Sequence, residues 1–178
     1  MTRHSERGFT LIELLIVVAV ISIVSAIAVP GLLRSRMMGN EASAIASLRT
    51  TTSSQVSFSS SWGNGGYAPN YETLGTVPSG GAAAGGFISS DLGHAGDVVK
   101  SGYLFVLQGT GAGPDDGAGN PTSTAWTATA DPVAFAKTGT RHFITGADNT
   151  IWQNSQDTPF TLGTIPTASS GSIRPVYY

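Results

Sequence analysis

The chain contains no cysteine, which excludes disulfides, thiolate metal sites and cysteine nucleophiles together. Charge is also scarce, because Asp, Glu, Lys and Arg make up 11% of the 178 residues, less than half of the usual share. The nine Lys and Arg are scattered along the sequence and the formal net charge is −2, so we predict no basic face that binds nucleic acid through its phosphates. With 40% apolar residues the chain is nevertheless too hydrophobic to be disordered.

Sequence patterns for catalysis are missing. The triplet Lys137-Thr138-Gly139 matches one motif of penicillin-recognising enzymes, but the Ser-x-x-Lys nucleophile motif that accompanies it is absent. No glycine motif for phosphate binding follows a predicted strand. We therefore predict that the chain is not an enzyme, and that Lys137-Thr138-Gly139 is a loop before a strand.

Metal and cofactor sites are not predicted either. The turn Asp115-Asp116-Gly117 lacks the alternating oxygen ligands of a calcium loop, and a solvated turn is the favoured interpretation. The three histidines are isolated, without the spacing of metal ligands, and we expect the last two to be surface or strand residues: His4, His94 and His142.

Residues 9–29 form an apolar segment whose one charged residue is Glu13. At about 1.5 Å per residue, a helix of this length spans a hydrocarbon core of roughly 30 Å, and the segment is too long for an ordinary secretory signal. It is preceded by a short stretch with Arg3 and Arg7 that ends in Gly8, where a protease meets no side chain. The pattern predicts a membrane helix behind a cleavable leader.

Glu13 is unusual in this segment. A carboxylate at the centre of a membrane helix costs about 2.5 to 3.5 kcal/mol on insertion scales, so it is tolerated mainly with a partner. Cleavage before Phe9 would create one, because the new α-amine is a cation at neutral pH and can pair with Glu13 of a neighbouring copy. The alternative is local stabilisation of Glu13 by the helix dipole, which is too weak to offset burial in lipid.

The sequence from residue 7 onward resembles the class III signal and N-terminal helix of type IV pilins and type II secretion pseudopilins, through Arg7-Gly8-Phe9-Thr10-Leu11-Ile12-Glu13-Leu14. The resemblance implies that a prepilin peptidase cuts after Gly8 and N-methylates Phe9. It also implies that Glu13 acts in subunit assembly and that Pro30 kinks the helix. The strong resemblance covers roughly residues 7–60. Two later stretches are weaker echoes of pilin-like heads: Gly102-Tyr103-Leu104-Phe105 and Lys137-Thr138-Gly139-Thr140-Arg141.

These observations predict an α+β fold, in which one long N-terminal helix packs on a small antiparallel sheet. We expect a leader over residues 1–8, a transmembrane and polymerisation helix over 9–33, its amphipathic second half over 34–62 and a globular head over 63–178. The stripe that faces the head is predicted as Ile45, Leu48, Thr52, Val56 and Ser59, and the helix should end at Gly63-Asn64-Gly65-Gly66.

In the head, four short runs read as antiparallel strands, namely 103–108, 125–130, 142–145 and 150–153, with a hairpin turn at residues 147–149. Both faces of the first strand are apolar, which predicts burial on two sides. The connection 67–100 contains many glycines and is expected to be exposed on the filament surface.

The resemblance implies a structural filament subunit, either of a type IV pilus or, as the alternative, of a type II secretion pseudopilus. A membrane-anchored binding domain or hydrolase that does not polymerise is less favoured, because an anchor gains nothing from Glu13. The implied partners are other copies or other pilins, the prepilin peptidase, membrane lipid before assembly and an inner-membrane assembly platform driven by an ATPase.

Basic residues flank the apolar segment on both sides, so orientation follows from the resemblance alone. It implies a single-pass protein of the bacterial inner membrane with a periplasmic head, which later enters an extracellular pilus or a periplasmic pseudopilus. Glu41 lies beyond the membrane segment, and we expect solvent to screen its charge.

Overall fold

The computed structural model describes residues 8–76 and 86–177. It contains a long helix α1 (Leu11–Ser61), a short helix α2 (Tyr71–Gly75) and six strands: β1 (Val98–Lys100), β2 (Tyr103–Asp115), β3 (Pro121–Pro132), β4 (His142–Gly146), β5 (Trp152–Asn154) and β6 (Ile173–Pro175). The strands pair antiparallel in sequence order, from β1 at one edge to β6 at the other. The predicted α+β fold is confirmed. The leader up to Arg7 and most of the glycine-rich stretch, residues 77–85, lie outside the described residues.

The chain divides into two compact units, of which the first ends at Arg36 and the second begins at Met37. The first unit holds the apolar part of α1, and its described residues have no buried side chain. The second unit, which we call the head, holds the end of α1, helix α2 and the sheet, with a core of Leu48, Phe58, Tyr103, Trp126 and Phe143 among others.

In the head, α1 buries a stripe of nine residues: Glu41, Ala44, Ile45, Ser47, Leu48, Thr51, Ser54, Gln55 and Phe58. Ile45 and Leu48 were predicted correctly, but Val56 is 52% exposed. The reason is that Gln55 takes the buried position, since its amide bonds both backbone groups of Ala68: Nε2 donates to the carbonyl and Oε1 accepts from the N–H, each at 2.9 Å. A search for apolar periodicity misses a buried stripe that is partly polar.

The connection 67–100 was expected to be exposed, and this prediction is wrong for much of its described part. Helix α2 begins after Asn70, whose side chain accepts from the N–H of Thr73 at 2.8 Å, and strand β1 closes one edge of the sheet. The connection also supplies core residues: Ala68, Tyr71, Leu74, Ile88, Leu92 and Val98. Helix α2 and strand β1 are too short to show a hydrophobic period in the sequence, so the high glycine content of this connection predicted a loop.

The long strands were predicted in the right places but too short, because β2 and β3 continue as a ribbon toward Asp115 and Pro121. Predicted strand 150–153 is observed as β5, shifted to Trp152–Asn154, and β6 was missed. Burial of β2 on both sides is wrong: Tyr103, Phe105 and Leu107 are buried, whereas Leu104 and Val106 are half-buried. The strand therefore shows the alternation of a sheet with one covered face.

The turns follow the residue types that allow positive φ. Helix α1 ends one residue before Trp62, and Asn64 and Gly65 adopt φ of 49° and 89° in the next turn. In the hairpin between β4 and β5, Asn149 has φ of 59° and donates its N–H to the carbonyl of Gly146 at 3.0 Å. Both turn predictions are confirmed.

Candidate functional site

The segment Gly8 to Thr10 lies before α1 without regular secondary structure, and all three residues are exposed. Phe9 has 92% of its surface accessible, and a Cβ placed on Gly8 would meet no atom within 4 Å. The peptide bond between Gly8 and Phe9 is therefore reachable from solvent. The role of these two residues in processing stays a prediction.

Thr10 and Glu13 form a capping box that starts α1. The N–H and hydroxyl of Thr10 donate to Glu13 Oε2 at 2.9 Å and 2.7 Å, and the N–H of Glu13 approaches Thr10 Oγ1 at 3.3 Å. This reciprocal arrangement satisfies amides that a helix N-terminus leaves without partners, and it explains why the helix begins at Leu11 rather than at Phe9. The role of Thr10 was not predicted, although the Thr-x-x-Glu signature of a capping box is present in the sequence.

Residues 11–33 of α1 present apolar side chains in all directions. Leu11, Ile27 and Leu32 are 82%, 78% and 69% exposed, and none of the most apolar window, with mean hydropathy 2.9, is buried within the chain. By length and composition, α1 is the one helix among the described residues that could cross a membrane. So large an apolar surface requires cover from lipid or from other chains.

Pro30 lies inside α1, which continues through it to Ser61. Since proline has no backbone N–H, the carbonyl of Ala26 loses its usual helical donor there. Serine hydroxyls on the same segment bond back to the helix: Ser22 Oγ to the carbonyl of Val18 at 2.7 Å, and Ser35 Oγ to that of Gly31 at 3.1 Å. A kink at Pro30 remains a prediction.

Residues 3–29 match the family model described as the prokaryotic N-terminal methylation motif. These residues are similar to the N-terminus of pilins and pseudopilins. This match confirms the resemblance given by residues 7–14, and it includes Gly8, Phe9 and Glu13. No curated protein and no solved structure matches the chain. The matched residues all lie before the head.

Glu41, expected to be screened by solvent, is instead buried in the head at 3% exposure. Its Oε1 accepts from the N–H and hydroxyl of Thr140 at 2.8 Å and 2.9 Å, and its Oε2 accepts from Arg141 Nε and Nη2 at 2.8 Å and 2.6 Å. Burial alone would raise the pKa of Glu41, but the bonds from Thr140 and Arg141 outweigh it and lower that pKa. The earlier expectation is wrong because the loop before β4 closes over the helix.

That loop contains Lys137-Thr138-Gly139, as predicted, and it contacts α1 through Asn40 Nδ2, which donates to the carbonyl of Thr138 at 2.9 Å. The loop therefore holds the middle of α1 through two neighbouring helix residues, Asn40 and Glu41. The backbone and side-chain donors of Thr140 and Arg141 are used in hydrogen bonds to the helix, which is a structural role.

The other polar candidates also have structural partners. Asp116, predicted to be solvated, is buried, and its Oδ1 accepts from the N–H groups of Ala118 and Asn120 at 2.8 Å each. His142 is buried in β4 with Nδ1 2.6 Å from Asp131 Oδ1, as expected for a strand residue. Within the described parts of the chain, no three His, Asp or Glu residues cluster in a way that could hold a metal ion.

Proposed function

We propose that this chain is the structural subunit of a type IV pilus-like filament. Prepilin peptidase removes residues 1–8 and methylates Phe9, and processed copies then assemble through residues 9–33 on an inner-membrane platform driven by an ATPase. The observation that carries the proposal is the uncovered apolar surface of α1, which begins at the N-terminal methylation motif.

The apolar surface of α1 lies in two environments in succession. Before assembly the apolar segment lies in the inner membrane with the head in the periplasm, and afterwards the same side chains pack against other copies. Transfer between two apolar environments changes the hydrophobic free energy little, so packing and polar contacts decide assembly, as for other membrane helices. Glu13, the one carboxylate of the segment, is therefore the group expected to control assembly.

Glu13 is assigned the role of pairing with the α-amine of Phe9 on a neighbouring copy. Its capping bonds from Thr10 both use Oε2. Because a carboxylate offers about four acceptor positions, it can accept a bond from the amine while the cap persists. An ion pair formed in an apolar bundle sets the register of each added subunit, since an unpaired charge there is strongly unfavourable.

Filaments sheared from cells test the proposal directly. Mass spectrometry should find this chain beginning at Phe9, with the added mass of one methyl group on its amine. A chain that retains residues 1–8, or that never leaves the membrane fraction under filament-forming conditions, would contradict the proposal. Filaments confined to the periplasm and required for protein secretion would instead identify a pseudopilin.

Gly8→Val sharpens the test of processing, because a Cβ at this position meets no atom of the chain and should leave folding unchanged. We expect the leader to be retained and filaments to be absent. Gly39→Val is the matched control, since a Cβ there also meets nothing within 4 Å. Normal trimming of Gly8→Val would refute the assigned cleavage site.

A further inference from the structure

Cations are gathered in one groove of the head. Three of the five Lys and Arg residues after Arg36 line a groove of about 1030 Å³ between α1 and the β6 edge of the sheet: Arg49, Arg141 and Arg174. No Asp or Glu is among the described residues that line it. Arg141 is already paired with the buried Glu41, whereas Arg49 and Arg174 are exposed. The basic residues are scattered in sequence, but folding brings these three to one place.

The groove also exposes apolar surface. Two large apolar residues of its lining, Met38 and Tyr177, are 64% and 85% exposed. Helix α1 also contributes the small side chains of Ala42 and Ala46. An open surface that combines large apolar side chains with arginine has the composition typical of protein interfaces. The groove therefore fits a macromolecular partner that carries carboxylates.

The opposite edge of the same sheet carries the complementary charge. Around β1, Glu72, Asp91 and Asp97 are all exposed, and Glu72 and Asp97 line one pocket together with Val98. Lys100 is the basic residue of this edge, and its Nζ lies 2.7 Å from Asp91 Oδ2. We call this surface the acidic edge and the arginine-lined one the basic groove.

We infer that the basic groove of one subunit binds the acidic edge of a second copy, and this inference rests on the proposed filament function. Since β1 and β6 are the two ends of a six-stranded sheet, the two surfaces cannot meet within one head. A contact between two different surfaces of identical copies is heterologous, and such contacts build open helical arrays when the rotation does not close. The head thus supplies a second, electrostatic contact besides that of the N-terminal helix.

Cysteine pairs test the contact without changing any charge, because the chain has no cysteine of its own. Ala95 lies exposed beside the acidic edge, and Ser169 lies exposed on the wall of the basic groove. Filaments of Ala95→Cys/Ser169→Cys, treated with a short bismaleimide, should give a ladder of cross-linked multimers. Each single variant should give no ladder, and intact filaments of the double variant without a ladder would overturn the inference.

Charge reversal provides the energetic test. Arg174→Glu and Asp97→Lys should each lower filament yield about two- to fivefold, the range set by exposed ion pairs, and the double reversal should restore it. Lys137→Glu and Asp115→Lys make the same charge changes at exposed positions that line neither surface, and they should leave the yield unchanged. Losses that the double reversal does not rescue would show that the groove binds some other anion and would overturn the inference.

The two proposals fail in different ways. If wild-type filaments begin at Phe9, but filaments of the double cysteine variant show no cross-link and the double charge reversal shows no rescue, the filament function is retained and the head contact is refuted. Absence of this chain from any filament would refute both.

Discussion

Glu13 and Glu41 lie on the same helix, and their surroundings differ in almost every respect. Glu41 is buried in the head, where Thr140 and Arg141 supply donors to both of its oxygens. Glu13 is exposed on an apolar surface, and the donor that the described chain supplies to it is its neighbour Thr10. The head therefore supplies partners for both oxygens of Glu41, whereas the described chain supplies Glu13 with a local cap.

The difference extends to the apolar residues. In the head they form a core around Leu48, Phe58 and Trp126, but none of residues 11–33 is buried by the described part of the chain. The two parts of α1 therefore differ. Tertiary packing covers apolar residues of its second part, whereas those of residues 11–33 require cover from lipid or from other copies. The following four predictions test the N-terminal segment and the head separately.

The largest expected effect comes from removing the N-terminal segment. A fragment that begins at Arg34 should be a soluble monomer, because the uncovered apolar surface is gone while the head retains its core. Fractionation and light scattering of the fragment, beside the full chain, measure this. Membrane association that persists in the fragment would show that the head itself binds lipid.

Glu13→Ala should give protein that is made, cleaved and stable in the membrane but absent from filaments when it is the only copy. Loss of one partner of a pair buried in the bundle is worth about 3 to 5 kcal/mol, which changes an assembly equilibrium by a factor of hundreds or more for each subunit. Filament yield from sheared cells is the measurement. In mixtures with wild type, we expect partial incorporation.

Thr10→Val is the matched control for Glu13→Ala, since it removes the hydroxyl of the capping box and keeps the pairing carboxylate. Loss of a cap costs about 1 kcal/mol, so this variant should assemble far better than Glu13→Ala. Equal defects in the two variants would favour the local role of Glu13 at the helix N-terminus. Asp115→Ala, which removes an exposed carboxylate of the head, should assemble normally.

Glu41→Ala, in contrast to Glu13→Ala, should lower the stability of the head. We expect a loss of about 2 to 3 kcal/mol in the free energy of unfolding, less than for a fully buried pair, because Arg141 can still reach water. Urea unfolding of the Arg34 fragment measures it, and Glu72→Ala at an exposed position is the control. A change below about 0.5 kcal/mol would contradict the buried role of Glu41.

The smallest expected effect is on the acid side of the stability profile. Because the pKa of Glu41 is lowered in the fold, its contribution is present above the unfolded value near 4.5 and is lost as the pH falls through the folded pKa. Urea unfolding of the fragment at several pH values should show this loss, and Glu41→Gln should show a shallower one. Asp91, whose pKa is lowered by Lys100, titrates in both proteins and cancels in the comparison. Identical slopes would exclude Glu41 as a source of acid sensitivity.

The sequence alone determined the N-terminal region, because its signals are local. A methylation motif, a long apolar segment and a lone glutamate are each defined by neighbouring residues, and the same holds for the turns at Asn64-Gly65 and Asn149. Regular alternation likewise located β2 and β4. Such features need no knowledge of what the chain packs against.

Tertiary structure decided whatever depends on distant partners. The burial of Glu41 and Gln55, the short elements α2, β1 and β6, and the gathering of three arginines into one groove all follow from residues far apart in sequence. Apolar periodicity cannot predict a polar side chain that is buried because a loop donates hydrogen bonds to it. Local patterns thus located the apolar N-terminal helix, and long-range hydrogen bonds and packing defined the head.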